Sequence, residues 1–247
     1  MIKRQILIAA LFLILNPLQG IADDSSAKEL LVASDRARGG NLPGLVWDIH
    51  VEAMENATPQ KRDLRVKADN NNSLVEFLAP LKVKDQKLLM RERNMWFIRS
   101  GLRKPVPISP RQKLTGQAAN GDIASTNYSG DYTAELLREE TIEGEACTVL
   151  DLKAANQVTY DRIVYWISKK RLVGVKAEFY TVSGKQLKSA SFEYQNEIPY
   201  HGRKIPFISK MIITDALDPS NITTLEYSNI KIEAIPLSTF DLAVVMQ

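Results

Sequence analysis

Downstream of a short N-terminal stretch, the chain alternates apolar and polar side chains with a period of two, and this pattern constrains the fold most. In one such segment Trp47, Ile49 and Val51 fall on one side, whereas Asp48 and His50 fall on the other. Because successive side chains of a β-strand point to opposite faces of a sheet, this alternation predicts a half-buried strand. The sequence therefore predicts a mainly β protein whose strands each have one apolar face.

Further strands of the same kind follow at short intervals, separated by residues that favour tight turns. We place them at 63–69, 73–79, 86–92, 94–99, 137–143, 146–154, 161–168, 172–181, 186–195, 203–215 and 221–233. Strands joined by tight turns pair as antiparallel hairpins. We therefore expect about eleven strands in an antiparallel meander.

A single helix is predicted ahead of the strands. Ser25 or Ser26 can accept amide hydrogen bonds at its N-terminus, and Gly39 and Gly40 end it. At 1.5 Å per residue, a helix of about a dozen residues is only ~18 Å long, too short to cover the apolar face of such a sheet. We therefore expect the sheet to curl into a curved, incomplete antiparallel β-barrel. Barrels of this size are either filled by side chains or enclose a ligand cavity.

The segment 100–136 interrupts the strand pattern. Pro105, Pro107 and Pro110 exclude a central strand there, and the residues that follow are rich in Gly, Ala, Ser and Asn. A long irregular insertion in a compact domain is either functional, often as a lid, or a mobile surface excursion, and the sequence leaves both open. We expect an irregular or helical lid within one domain that spans residues 23–247.

The N-terminal residues 1–22 have the three parts of a cleaved signal peptide. A basic start precedes an apolar run over 6–15, and Gly20 and Ala22 are the small residues before a cut at Asp23. Ten apolar residues are too few to cross a bilayer, which needs about 20, so an uncleaved anchor is the weaker alternative. The sequence therefore predicts an exported protein.

The chemistry-bearing residues argue against several classes of function. Two of the 32 Lys and Arg residues lie in the predicted signal peptide. The remaining 30 basic residues nearly balance the 29 acidic residues, so the net charge is close to zero and no nucleic-acid partner is expected. The single Cys147 leaves no internal disulfide or CxxC metal site. His50 and His201 are not spaced as a metal pair, and no HExxH, GxSxG or P-loop motif occurs. We expect no enzymatic activity, no catalytic residue, no metal and no cofactor.

A set of motifs occurs in one order along the chain. A Trp-bearing strand at 94–98 leads into a basic irregular segment at 102–114. Further motifs follow at 131–137, 142–147, 165–167, 180–185, 202–206 and Phe240. Together, over about residues 26–243, they resemble the LolA-like outer membrane lipoprotein-sorting family, which has the periplasmic lipid-binding fold of the LolA, LolB and RseB type.

The resemblance implies a periplasmic carrier that holds the acyl chains of a lipid or a lipoprotein in an apolar cavity. Such a carrier shuttles its cargo between membranes and serves lipid transport, lipoprotein sorting and outer membrane biogenesis. Its partners would be the acyl chains, an inner-membrane transporter and an outer-membrane acceptor, and we expect the chain to be a monomer. A lipid-sensing regulatory protein on the same scaffold, which binds an anti-sigma factor or another envelope partner, is the alternative.

Two groups of residues are candidates for this binding function. The predicted lining of the lipid-binding cavity consists of large or branched apolar side chains from several strands: Trp47, Ile49, Val51, Phe77, Trp96, Ile98, Val175, Phe179 and Phe192. The predicted contacts to a lipid headgroup or a protein partner are the basic residues Arg103, Lys104, Arg111 and Lys113, for which a solvated rim is the alternative. Since the strands at 94–99 and 161–168 are apolar on both faces, the sequence leaves open which face lines the cavity.

Overall fold

The computed structural model describes residues 20–55 and 58–246, and within them the chain is mainly β, as predicted. The strands are β1 (Leu45–Glu55), β2 (Thr58–Asp69), β3 (Asn72–Ala79), β4 (Lys87–Arg91), β5 (Asn94–Ile98), β6 (Val106–Ile108), β7 (Lys113–Thr115), β8 (Ala118–Ala119), β9 (Tyr132–Ile142), β10 (Glu145–Ala154), β11 (Arg162–Ser168), β12 (Gly174–Tyr180), β13 (Gln186–Glu193), β14 (Asn196–Tyr200), β15 (Arg203–Phe207), β16 (Lys210–Asp215) and β17 (Ile222–Ile232). Helix α1 (Gly20–Arg36) precedes them, α2 (Asn120–Ala124) and α3 (Tyr128–Asp131) lie between β8 and β9, and a 3-10 turn (Leu237–Phe240) and α4 (Leu242–Val245) follow β17.

Thirteen of these strands form one antiparallel sheet. Its order is β6-β5-β4-β3-β2-β1-β17-β16-β13-β12-β11-β10-β9, so the first and the last long strands pair in the middle of the sheet. Two meanders, one on each side of the β1–β17 pair, therefore make up the sheet. Within the described ranges β6 and β9 are its free edges, and the sheet is not closed, which confirms the prediction of an incomplete antiparallel barrel with an N-terminal helix.

The eleven predicted strands all occur, although the segment predicted as one strand at 203–215 is divided. Its first half, β15, pairs with β14 in a separate two-stranded sheet, and its second half, β16, joins the main sheet between β13 and β17. Pro206 lies in β15 and has no N–H to donate, which suits a strand in a small, exposed hairpin better than one inside the main sheet.

Helix α1 begins earlier than predicted. It starts at Gly20 rather than at Ser25 or Ser26. The predicted signal peptide lies outside the described residues except for its last three, which belong to this helix. None of the helices in the described ranges is long and apolar enough to span a membrane.

The two faces of the main sheet carry different apolar clusters. The largest cluster includes side chains of the sheet, such as Trp47, and of α1, α2 and α3, such as Leu31, Ile123 and Tyr128. We call this side of the sheet the inner face. On the outer face, one cluster packs against the C-terminal 3-10 turn and α4. A second outer cluster surrounds Cys147 and packs on β10 and β11. The largest apolar cluster of the described residues therefore lies on the inner face.

Candidate functional site

Part of the segment 100–136 lies over the inner face. Strand β6 extends the sheet edge beside β5, and Pro107 is tolerated there because an edge strand needs fewer amide donors. The hairpin β7–β8 and helices α2 and α3 follow, and Ala118, Ile123 and Tyr128 belong to the inner-face cluster. We call residues 113–131 the covering segment. It is the part of the predicted lid that contacts the apolar side of the sheet, whereas a lid function stays a prediction.

The covering segment packs on its neighbours at very short range. A Cβ on Gly116 would lie 2.3 Å from the Cβ of Ala53 and 2.3 Å from the Oγ1 of Thr223, and Gly116 has a φ of 52°. A Cβ on Gly121 would lie 1.9 Å from the Oγ1 of Thr159. A side chain at Gly116 would push the segment away from β1 and β17, and one at Gly121 would push it away from the loop between β10 and β11, so the two glycines set how closely the segment packs.

A buried carboxylate at the end of α1 holds one end of the covering segment. Asp35 is fully buried, and its Oδ1 and Oδ2 accept hydrogen bonds from the backbone N–H groups of Tyr128 at 3.2 Å and Ser129 at 2.7 Å. Burial raises the pKa of Asp35 to about 6, although both N–H donors and the charge of Arg38 act in the opposite direction. The contact therefore joins the helix to α3 at an energetic cost when Asp35 is ionised.

A buried arginine lies beside this carboxylate. The guanidinium carbon of Arg38 is 4.3 Å from the ring centroid of Tyr128 and 5.3 Å from that of Phe192. Its Nη1 is buried and makes no hydrogen bond to the described residues. Stacking of a cation on aromatic faces compensates in part for lost hydration. The inner face therefore contains a positive charge between the sheet and the covering segment.

A buried ion pair holds the other end of the covering segment. The Nζ of Lys188, on β13, lies 2.6 Å from Oδ2 of Asp122 and 2.6 Å from the carbonyl oxygen of Gln117. The other carboxylate oxygen of Asp122 accepts a 2.7 Å hydrogen bond from the hydroxyl of Tyr160. Burial and the charge of Asp122 raise the pKa of Tyr160, which keeps this hydroxyl a donor.

The nine predicted lining residues fall into two groups. Six lie together in the inner-face cluster: Trp47, Ile49, Val51, Phe77, Phe179 and Phe192. Trp96 and Ile98 lie on the outer face with Phe240, because their neighbours on β5 take the inward positions. Val175 lies in the outer cluster around Cys147, because a register shift in β12 opposite Trp166 and Ile167 breaks the alternation there. The structure therefore brings six of the nine together and places three elsewhere.

The four predicted basic contacts are exposed, and they differ in what they touch. Arg111 makes a bidentate contact to Asp161 at 2.8 and 2.9 Å and donates to the carbonyl of Val158, so it fixes the loop between β10 and β11. Lys113 lies in β7. Arg103 and Lys104 lie in the turn between β5 and β6. Contact of these residues with a headgroup or a partner stays a prediction.

Two open grooves include residues of β5 and β6, and the second of them also includes residues of the covering segment. One, of about 660 Å³, lies along β5 and β6 and includes Trp96, Ile108, Arg111 and Val158. The other, of about 440 Å³, includes Phe77, Leu88, Phe97 and Leu114. The walls of the second groove are continuous with the inner-face cluster, because Phe77 and Leu88 belong to both. This groove is therefore a place where the apolar inner face meets solvent beside the covering segment.

Sequence reasoning missed the polar residues of the site, although the pattern contained a signal for two of them. Lys188 has the same inward parity on its strand as Ala190 and Phe192, and Asp35 is four residues beyond Leu31 on α1. A charged residue at a core position is the signal. In residues 20–55 and 58–246, no group of three or more His, Cys, Asp or Glu side chains could hold a metal ion.

Comparisons with known proteins agree with this geometry. A family model described as "Uncharacterized protein" matches residues 69–246. A LolA superfamily protein from Nitrosomonas europaea is 32% identical, with a TM-score of 0.78 over 87% of this chain and 97% of that one. Two further solved structures share the fold at a TM-score of 0.75: a DUF1329 family protein from Desulfovibrio piger (17% identity, 90% of this chain and 99% of that one) and a domain assigned to outer membrane lipoprotein sorting from Vibrio parahaemolyticus (19% identity, 91% and 100%). No curated protein matches the sequence significantly. On its identity to the Nitrosomonas protein over most of both chains, the chain belongs to the LolA superfamily.

Proposed function

We propose that this protein is a periplasmic carrier that binds the acyl chains of a lipid or a lipoprotein beneath the covering segment. It carries this cargo between the two membranes, or to and from a membrane transporter. Membership of the LolA superfamily supports the carrier function, and the outer membrane lipoprotein-sorting domain with the same fold suggests the class of cargo. The predicted signal peptide supports the periplasmic location.

A separate cover over an apolar sheet face supports this function most directly. The inner face presents large apolar side chains, among them Trp47 and Phe179, and the covering segment lies over them. Its strands β7 and β8 pair with each other and are not part of the main sheet. Its contacts to the rest of the protein include the buried polar groups Asp35 and Lys188. Such a cover can leave the sheet without breaking the sheet's own hydrogen bonds.

Binding requires the covering segment to move, because side chains occupy the space beneath it. Ala118, Ile123 and Tyr128 pack directly into the inner-face cluster. An acyl chain that replaces them restores apolar contact to the sheet, and its transfer from water contributes about 0.8 kcal/mol for each buried methylene. Exposure of the displaced side chains opposes this gain. The resulting exchange is nearly balanced, which suits a carrier that must also release its cargo.

The groove beside Phe77 gives the acyl chain a starting point. Its walls of Phe77, Leu88 and Phe97 continue into the inner-face cluster, and Leu114 of the covering segment forms the opposite side. We place the exposed Arg103 and Lys104 near the membrane or a lipid headgroup during transfer. From this groove a chain can advance along the sheet as the covering segment withdraws.

Native mass spectrometry of the protein purified from the periplasm of its own cells tests this function. We expect bound lipid of defined mass, and we expect the delipidated protein to bind a fluorescent fatty acid with one-to-one stoichiometry. A protein that carries no lipid when isolated and binds no acyl probe would refute the carrier function. Reloading the delipidated protein with the identified lipid, followed by transfer to acceptor vesicles, is the positive control.

A further inference from the structure

We propose, on the basis of the function above, that Lys188 is the anion-binding residue of the lipid site. The ligand is then an acyl chain that ends in a carboxylate or a phosphate group. While the covering segment lies on the sheet, the carboxylate of Asp122 occupies the position that the ligand's anionic head takes when the segment withdraws. Lys188 therefore determines the chemical class of the cargo.

The position of Lys188 is unusual for a lysine. It lies on β13 at an inward position, and only 6% of its side chain is exposed. Its Nζ is 5.1 Å from the ring centroid of Tyr160 and 5.6 Å from that of Phe179. Lysine is almost never buried to this extent unless it is paired. An ammonium group among aromatic rings on the inner face is therefore a specific feature that packing alone does not require.

Both hydrogen-bond acceptors of this ammonium group come from the covering segment. They are Oδ2 of Asp122 and the carbonyl oxygen of Gln117, each 2.6 Å from Nζ. Asp122 in turn is held by the backbone N–H of Ala119, which also belongs to the covering segment. When the segment withdraws, Lys188 loses its counter-charge and its second acceptor in one step.

Within residues 20–55 and 58–246, the ion-pair partner of Lys188 is Asp122, and no carboxylate of the sheet pairs with it. Asp215 stands opposite Lys188 in the register of β13 and β16, but its Oδ1 accepts hydrogen bonds from the N–H groups of Leu217 and Asp218 in the following turn. An ammonium group left alone in an apolar site is strongly unfavourable. A ligand that brings its own anion removes this penalty, whereas a neutral amphiphile with the same chain does not.

The neighbours of Lys188 suit the rest of such a ligand. Phe179 is fully buried and packs on Tyr160 with ring centroids 4.3 Å apart, and both belong to the inner-face cluster. A methylene chain attached to the anionic head would contact these rings and continue along the sheet. By contrast, the buried Arg38, in the turn after α1, keeps the charge of Asp35 at the end of that helix nearby. Lys188 is therefore the better candidate for a ligand's anion.

Matched probes that differ only in head charge test this assignment. We would measure the affinity of the full mature chain for cis-parinaric acid and for its methyl ester, and displacement of either probe by hexadecyl phosphate and by hexadecanol. We expect the wild-type protein to bind the acid at least tenfold more tightly than the ester. Hexadecyl phosphate should outcompete hexadecanol if a phosphate head is accepted, whereas inorganic phosphate without a chain should displace nothing.

Three variants separate the function of Lys188 from its structural contribution. Lys188→Met combined with Asp122→Asn removes both charges together, so no unpaired charge stays buried, and we expect the acid and the ester to bind within twofold of each other. Asp122→Asn alone removes the internal competitor and should bind the acid several-fold more tightly than wild type does. Lys153→Met, at an exposed ion pair with Glu135, is the matched control and should keep the wild-type preference.

Two results would overturn the assignment. One is a wild-type protein that binds the ester as tightly as the acid. The other is a double variant that keeps the tenfold preference while its circular dichroism is unchanged. Each would show that Lys188 does not bind the anionic head of the ligand. Either result leaves the carrier function intact, because the acyl probe still binds. A wild-type protein that binds neither probe would instead refute the carrier function and, with it, the assignment of Lys188.

Discussion

Replacement of the buried carboxylate at the end of α1 should change how stability depends on pH. The pKa of Asp35 rises on folding from 3.8 to about 6. Between these two values the folded state binds more protons than the unfolded state, so the free energy of unfolding falls as pH increases through this window. Below pH 3.8 both states are protonated, and above pH 6 the full penalty of burying the ionised group is present.

The magnitude follows from the shift. About two pKa units correspond to about 3 kcal/mol of lost stability at pH 8 relative to pH 3.8, since each unit is worth about 1.36 kcal/mol. In Asp35→Asn the amide oxygen can still accept from the N–H of Ser129, and nothing titrates at this position. We therefore expect the variant to match wild type within about 1 kcal/mol at pH 4 and to exceed it by about 2–3 kcal/mol at pH 8.

Urea unfolding followed by tryptophan fluorescence, at intervals from pH 4 to pH 8, measures this difference. Subtracting the wild-type value from that of the variant removes the contributions of other carboxylates, such as Asp48 and Asp161, whose pKa values are lowered by arginine partners. Asp85→Asn is the matched control, because Asp85 is exposed and has a φ of 71°, which Asn tolerates equally well. A difference between Asp35→Asn and wild type that stays constant over this pH range would refute the reasoning.

Two further predictions concern the contact between α2 and the loop before β11. Gly121→Ala should lower the free energy of unfolding by about 1–3 kcal/mol, because the new Cβ would lie 1.9 Å from Oγ1 of Thr159. The double variant Gly121→Ala with Thr159→Ala should recover most of this loss in the same urea titration. A disulfide between cysteines at positions 121 and 159, in a Cys147→Ala background, should abolish binding of a fluorescent fatty acid, and reduction should restore it. An ideal Cβ on Gly121 lies 3.0 Å from the Cβ of Thr159, so the two positions need to separate by about 0.5–1 Å to reach the ~3.5–4.5 Å of natural disulfides. Equal binding by the oxidised and reduced proteins would show that the covering segment need not move.

The sheet was predictable from the sequence because burial on one face gives each strand its own period-two signal. The β1–β17 pairing was not predictable, since two strands about 180 residues apart carry no local sign that they pair. The predicted lining residues of β5 and β12 lie apart from the other six, for separate physical reasons. Trp96 lies on an apolar outer face that the C-terminal residues cover, and Val175 follows a local register shift that period-two counting does not detect.

The candidate site was predictable only in its apolar part. Residues such as Phe179 and Phe192 occupy regular inward positions, so their parity places them correctly in the inner-face cluster. The partners of Lys188 and Asp35 come from a segment without periodicity, where the sequence gives no register. The position of Lys188 on the core-facing side of its strand marks it as unusual in the sequence. Only the structure shows that Asp122 is its ion-pair partner.

The contacts that hold the covering segment also set the affinity for a ligand. A ligand that binds only the open state must supply the free energy of opening, so every change that stabilises the closed state weakens apparent binding. Above pH 6 the buried, ionised Asp35 favours opening, because water solvates the carboxylate once α3 has left it. At pH 8, Asp35→Asn should therefore bind a fluorescent fatty acid more weakly than wild type does. At pH 4.5, with an uncharged ester as the probe, the variant and wild type should bind with equal affinity. If the variant binds the probe more tightly at pH 8, the contact of Asp35 with Tyr128 and Ser129 must stabilise the closed state when ionised, and the direction of the coupling is reversed.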